Sequence, residues 1–127
     1  MKDLIIPLAI SIGAVSGALL RCKITEWSKS QFVTNFPLGT FVINLTGCLL
    51  MGFFVTIPKE IPGYPQELDL LIRTGFLGSY TTFSTYGYDT LTLWRSKQSL
   101  ATFCYWLGSA VLGLIAVFLG VAIANFT

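Results

Sequence analysis

Histidine is missing from this 127-residue sequence, and charge is scarce. Without imidazole there is no His-based acid–base catalysis and no histidine metal site. Lysine and arginine number 8 and the two acids 6, so charged residues make up 11% of the chain, against about 25% in ordinary soluble domains. A small domain has proportionally more surface to cover than a large one, and these few charges cannot cover it. A soluble monomer is thereby excluded. The net charge of +2 builds no basic stripe, so nucleic acid is not an expected partner. Cysteine is rare as well. Cys22, Cys48 and Cys104 form no CxxC pair, and each lies in or beside an apolar run as small filler. With no paired carboxylates and no cysteine–base pair, no catalytic constellation forms, and an enzyme is not expected. What the chain has instead is 54% hydrophobic and 14% aromatic residues, the opposite of a disordered composition. Its mean hydropathy is +0.72.

The charges cluster, and long uncharged runs separate them, at residues 4–20, 30–58, 74–88 and 98–127. A helix needs about 20 apolar residues to cross the hydrocarbon layer. The pattern therefore predicts an all-α membrane protein with four spanning helices, at about 4–22, 38–57, 68–94 and 99–126, in a single domain covering 1–127. Barrel-type alternation is absent from all four runs. Lys2 before an apolar stretch resembles a signal peptide, but Asp3 spoils the basic start and three more segments follow, so a retained helix is expected. Connections are predicted at 22–37, at 58–67, where Pro58, Pro62 and Pro65 oppose helix, and as a tight turn at 95–98. Arg21, Lys23, Lys29, Arg95 and Lys97 fall on one side of the membrane, and Lys2, Lys59 and Arg73 on the other. So weak a bias is compatible with insertion in either sense.

Small and polar residues inside these runs carry the functional signal. Ala9, Gly13, Gly17 and Arg21 step by four along helix 1. They read as a packing seam that invites a close partner and ends in an arginine, either in the headgroups or at an entrance for anions. Thr40 and Asn44 share a face of helix 2, and an amide in hydrocarbon needs partners, as interhelical glue or as part of a path. Gly75, Gly78, Thr81, Thr82, Ser84 and Thr85 place two glycines and four hydroxyls in the third segment, which predicts a broken helix. Freed carbonyls at such a break are ready cation ligands. Phe83 and Tyr86, three apart, share a face, and Tyr105, Ser109 and Gly113 step by four along helix 4.

GALLR at 17–21, GTFVINLTG at 39–47 and above all TGFLGSYTTFSTYGYDT at 74–90 resemble the CrcB/Fluc family of fluoride channels. The likeness runs over all four segments. It implies a dual-topology antiparallel homodimer in the cell membrane, with two fluoride pores and a structural sodium ion at its centre. It further implies sodium held by the backbone carbonyls of Gly78 and Thr81 from both copies, a pore asparagine at Asn44, and pore aromatics at Phe83 and Tyr86. The family usually has phenylalanine at the second position, so the Tyr86 hydroxyl is a departure that could bind the ion or narrow its path. Tyr105 and Ser109 fit the family's hydroxyl track, while Gly113 and Val117 do not. Arg21 matches the arginine of the entrance vestibule.

The residue types suit the ion. Fluoride is small and strongly hydrated, so it leaves water only for donors that replace its shell. The Asn44 amide and the hydroxyls of Ser84, Thr85 and Ser109 offer these without a fixed charge that would trap it. The positive rims of Phe83 and Tyr86 add weak contacts. The implied role is passive fluoride export that lowers toxicity in the cytoplasm. Two rivals fit the size. A small dual-topology proton-coupled multidrug exporter needs a membrane carboxylate, and apart from Asp69 at the very start of the third span Asp89 is the single acid inside one. A membrane assembly protein would need no broken, hydroxyl-rich third segment.

Overall fold

The computed structural model describes the backbone of residues 2–126 and the side chains of residues 4–126. Met1 and Thr127 of the expected domain, and the Lys2 side chain counted in the loop charge, lie outside the described residues. Every regular element among them is helical. α1 is Lys2–Gln31, α2 is Leu38–Glu60, α3 is residues 66–80, α4 is Phe83–Arg95 and α5 is Ser99–Asn125. Only α1, α2 and α5 are long and apolar enough by themselves to cross a membrane. The third apolar segment is delivered in two pieces, α3 and α4, each short of the ~20 residues a crossing needs.

Two boundaries differ from the sequence reading. α1 does not stop near residue 22 but runs on to Gln31. Its last turns contain no glycine or proline, and they have something to pack on. Ile24 joins the central apolar cluster, and Ser28 is buried where Gly39 opens α2. The connection to α2 thus shrinks to residues 32–37. At the other end of α2, Pro58 sits inside the helix, which ends at Glu60. The turn that follows is built by Gly63, whose φ of 79° only glycine adopts freely.

The helices pack as two tight pairs, α1 with α3 and α2 with α5, joined by contacts of α2 with α1 and of α4 with α5. Both pairs cross on glycine. A Cβ at Gly52 would overlap the Val117 carbonyl oxygen, and one at Gly120 the Leu49 carbonyl oxygen. Close backbone approach of this kind replaces the hydrophobic drive that lipid does not supply. On the other seam a Cβ at Gly13 would overlap the Leu71 carbonyl oxygen, and one at Gly17 that of Phe76. The packing seam read from the stripe is therefore filled, at Gly13 and Gly17, by α3 of the same chain. The reason is that α3 returns a glycine of its own, Gly75, against the Ile10 carbonyl. Between the pairs lies a cluster of Ile43, Leu77 and Tyr80, with Ile24, Leu50, Met51, Phe54, Ile72 and Phe76 around it. Most large side chains of α1 and α5, such as Leu8, Val15, Leu114 and Phe118, face outward. Outward apolar side chains suit a helix whose solvent is lipid.

α3 is irregular before it breaks. Gln66–Asp69 is one α turn, Leu70–Leu77 is π-helical, and Gly78–Tyr80 is a final α turn. Thr81 and Thr82 are then extended, at φ −76°, ψ 159° and φ −149°, ψ 118°. The expected break thus falls at two β-branched residues, which favour extended backbone. α4 restarts at once because the Thr82 side chain caps it, accepting from the Thr85 N–H at 3.2 Å. A turn through Lys97, at φ 57°, leads into α5 where a tight turn was predicted.

Candidate functional site

Breaking a helix strands the peptide groups of the break, and α2 satisfies them. Asn44 Nδ2 donates to the Thr82 carbonyl at 3.0 Å, and the Thr82 N–H donates to Asn44 Oδ1 at 2.9 Å. One side-chain amide answers both the N–H and the C=O of one residue. Because Oδ1 is held by an N–H, the amide cannot flip, and the second Nδ2 hydrogen remains as a donor of fixed direction. Glue or path were the alternatives for this asparagine; the clamp makes it glue, and it also lines the groove beside the break. A little deeper, Thr46 Oγ1 and the Tyr80 hydroxyl lie 2.8 Å apart and tie the last turn of α3 to α2.

Beside the clamp is a groove of about 530 Å³ lined by Asn44, Thr81, Thr82, Phe83, Tyr86 and Ser109, with Cys48 and Met51 along its floor. No residue of its lining is charged. Phe83 and Tyr86 do share a face, with ring centroids 5.8 Å apart. Phe83 is 85% exposed, so the groove is open on that side of the chain. The Tyr86 hydroxyl, the departure from the family pattern, donates to the Trp106 carbonyl at 2.7 Å. Its proton is therefore spent on α5 and is not offered to an ion. The Ser109 hydroxyl is different: it is buried and has no hydrogen-bond partner. An orphaned buried donor costs about 1–3 kcal/mol, which a small anion or water in the groove would recover.

The other expected residues are placed apart from this groove. Ser84 and Thr85 line a second cleft of about 430 Å³ with Arg21, Glu26, Lys29 and Thr40. Thr82 lines both spaces, so the break is the wall between an uncharged groove and a charged cleft in which Arg21 and Lys29 outnumber Glu26. Thr85 Oγ1 accepts from Thr82 Oγ1 at 3.0 Å, and the Thr82 and Ser84 hydroxyls are 3.3 Å apart. Tyr105, predicted to open the hydroxyl track, is fully buried. Its ring packs on Tyr86 and Phe36 at 5.4 and 5.5 Å, and its hydroxyl donates to Asp89 Oδ2 at 3.3 Å. Gly113 is buried against the Cys48 sulfur. Sequence reading missed three of these partners: the Trp106 carbonyl, the Thr82 peptide and the Asp89 carboxylate. Only the last left a signal, as an acid late in the third apolar segment.

Gly78 and Thr81 lie at the C-terminal end of α3, where a helix leaves carbonyls without donors. Thr81 N–H and Oγ1 both return to the Leu77 carbonyl, at 3.1 and 3.0 Å, and the Thr82 N–H is taken by Asn44. The Gly78 carbonyl thus loses the proton a continuing helix would bring it, and Gly78 is exposed. No cluster of three or more His, Cys, Asp or Glu occurs among the described residues. The donor set at the break is main-chain oxygen, which fits a hard cation such as sodium.

A family model described as CrcB-like protein, Camphor Resistance (CrcB), matches residues 8–121. A relative named fluoride-specific ion channel FluC from Synechococcus sp. is 45% identical over 120 residues, covering 94% of this chain and 92% of its own. Relatives of the same name from Trichormus variabilis and Chloroflexus aurantiacus are 46% and 43% identical, covering 94% of this chain and 88% and 94% of their own lengths.

Proposed function

The chain belongs to the CrcB-like family, and from that premise we propose that it is a passive, fluoride-selective channel of the cell membrane. It is a multi-pass membrane protein and not an enzyme. The observation that carries the reading is the uncharged groove, where an orphan hydroxyl and a directionally fixed amide stand beside two aromatic rings. Anions drawn by Arg21 and Lys29, which outnumber Glu26 in the second cleft, meet the break at Thr82. Beyond it, the Asn44 N–H, the Ser109 O–H and the ring edges of Phe83 and Tyr86 replace water one contact at a time. Each contact is weak, which favours passage over capture. Export down the gradient from a fluoride-loaded cytoplasm would lower its toxicity.

The working unit in this reading is an antiparallel dimer with two pores. Its support is the openness of the groove at Phe83 and of the break at Gly78, two surfaces a second copy can close. An isologous two-fold in the membrane plane would bring two α3 ends together. The main-chain oxygens of Gly78 and Thr81 from each copy would then hold sodium, whose charge, when bound, offsets the facing helix C-termini. The exporter rival is disfavoured because Asp89 is engaged by Tyr105 and outside the groove. Fluoride efflux from proteoliposomes, with chloride as control, tests the whole reading. Fluoride and chloride leaving at equal rates, or neither leaving, would overturn it.

A further inference from the structure

Ser79 follows Gly78 and precedes the break by two residues. Its hydroxyl donates to the Ala14 carbonyl of α1 at 2.8 Å, with the Phe76 carbonyl of its own helix at 3.1 Å. Gly17 makes this possible, because a Cβ there would overlap both the Phe76 carbonyl oxygen and Ser79 Oγ. Just before Ser79 lies the π segment Leu70–Leu77, which presses its backbone on Gly13 and Gly17. A π turn closes its hydrogen bonds one residue later than an α turn, so it resets the angular phase of everything after it. Relaxing residues 70–77 to α geometry would rotate the Gly78 carbonyl and pull Ser79 off Ala14. The π register and this hydrogen bond are therefore coupled, beside the Thr46–Tyr80 contact that also ties the last turn of α3. Neither Ser79 nor Gly17 lines the groove or the cleft of Arg21.

We propose that Ser79 is a positioning residue. Through its bond to Ala14, in the space left by Gly17, it fixes the π register of α3 and hence the direction of the Gly78 and Thr81 carbonyls. The consequence for sodium rests on the reading of those carbonyls given above; the consequence for the register does not.

The test uses the full chain reconstituted in lipid, as wild type, Ser79→Ala, Gly17→Ala and Thr56→Ala. The last removes a buried hydroxyl that bonds only within α2, to Gly52, far from the break in sequence. Two quantities are measured: amide hydrogen exchange over residues 77–82, in sodium and in N-methylglucamine, and the sodium midpoint of thermal stabilisation. Losing one net hydrogen bond should speed exchange at the Thr81 amide about five-fold in either buffer. The same loss should raise the sodium midpoint by a similar factor in Ser79→Ala and Gly17→Ala, and in Thr56→Ala neither should change. Gly17→Ala keeps the hydroxyl but takes its space, so it checks the same contact from the other side. Exchange over 77–82 in both variants equal to wild type, or to Thr56→Ala, would overturn the positioning role. A wild type whose melting ignores sodium would remove the cation reading alone, and the exchange result would still decide the register.

Discussion

Replacing Asn44 with aspartate changes two things that the geometry keeps separate. One carboxylate oxygen still accepts the Thr82 N–H, which lies 2.9 Å from Oδ1 in the native chain. The other replaces Nδ2 and turns an acceptor toward the Thr82 carbonyl oxygen, where a donor stood at 3.0 Å. That half of the clamp is lost, at about 1–3 kcal/mol for a carbonyl left unsatisfied at low exposure. The second change is charge. A carboxylate about 5 Å from a fluoride, at an effective dielectric of about 20, opposes it by roughly 3 kcal/mol, two orders of magnitude in occupancy. Fluoride efflux from proteoliposomes, followed with an ion-selective electrode, should therefore fall at least about 100-fold. Asn44→Ala separates the terms, because it breaks both bonds and adds no charge. In that variant exchange at the Thr82 amide should quicken and flux should fall with it. Wild-type efflux from Asn44→Asp would remove Asn44 from the path, and unchanged exchange in Asn44→Ala would show that the amide does not hold the break.

Tyr86→Phe loses only the bond to the Trp106 carbonyl, so it should conduct at nearly the wild-type rate, whereas Tyr86→Ile should lose most flux; equal efflux from the two variants would reduce the ring to packing. A Cβ at Gly78 meets only the Arg73 carbonyl, at 3.8 Å, so the single chain has room for a side chain. Gly78→Leu should therefore fold but lose sodium-dependent stabilisation, while Thr81→Ser keeps it, and a Gly78→Leu protein that melts and responds to sodium like wild type would refute the carbonyl site. Gly120→Ala forces a methyl into the Leu49 carbonyl and should cost about 1–3 kcal/mol, read as a lower melting temperature in detergent. With Cys22, Cys48 and Cys104 replaced, a Thr127→Cys protein should be labelled about half from outside by an impermeant thiol reagent and completely after permeabilisation; labelling from one side only would exclude the antiparallel arrangement.

Much of this protein could be read without coordinates, and for a simple reason. Hydrocarbon solvent imposes a length and an absence of charge on whatever crosses it, and both are visible in one dimension. The long helices α1, α2 and α5, the broken third segment and the face shared by Phe83 and Tyr86 follow from composition and periodicity. The family follows from TTFST and its neighbours. What the sequence could not carry is pairing across distance. Asn44 and Thr82 are 38 positions apart, and nothing in either residue names the other. The same holds for Ser79 with Ala14 and for Tyr86 with the Trp106 carbonyl, an acceptor every residue possesses. The glycines of α1 announced a close neighbour but not which one, because a stripe of small residues fits a second copy and a returning helix equally well. Only the tertiary structure chose α3, through the reciprocal glycine at Gly75, and only it assigned Ser109 to the groove and Tyr105 to the buried interior. One-turn spacing along α5 put both hydroxyls on the same stripe. The ring of Tyr105 reaches back to Tyr86, while Ser109 lines the groove with its hydroxyl buried and unpartnered.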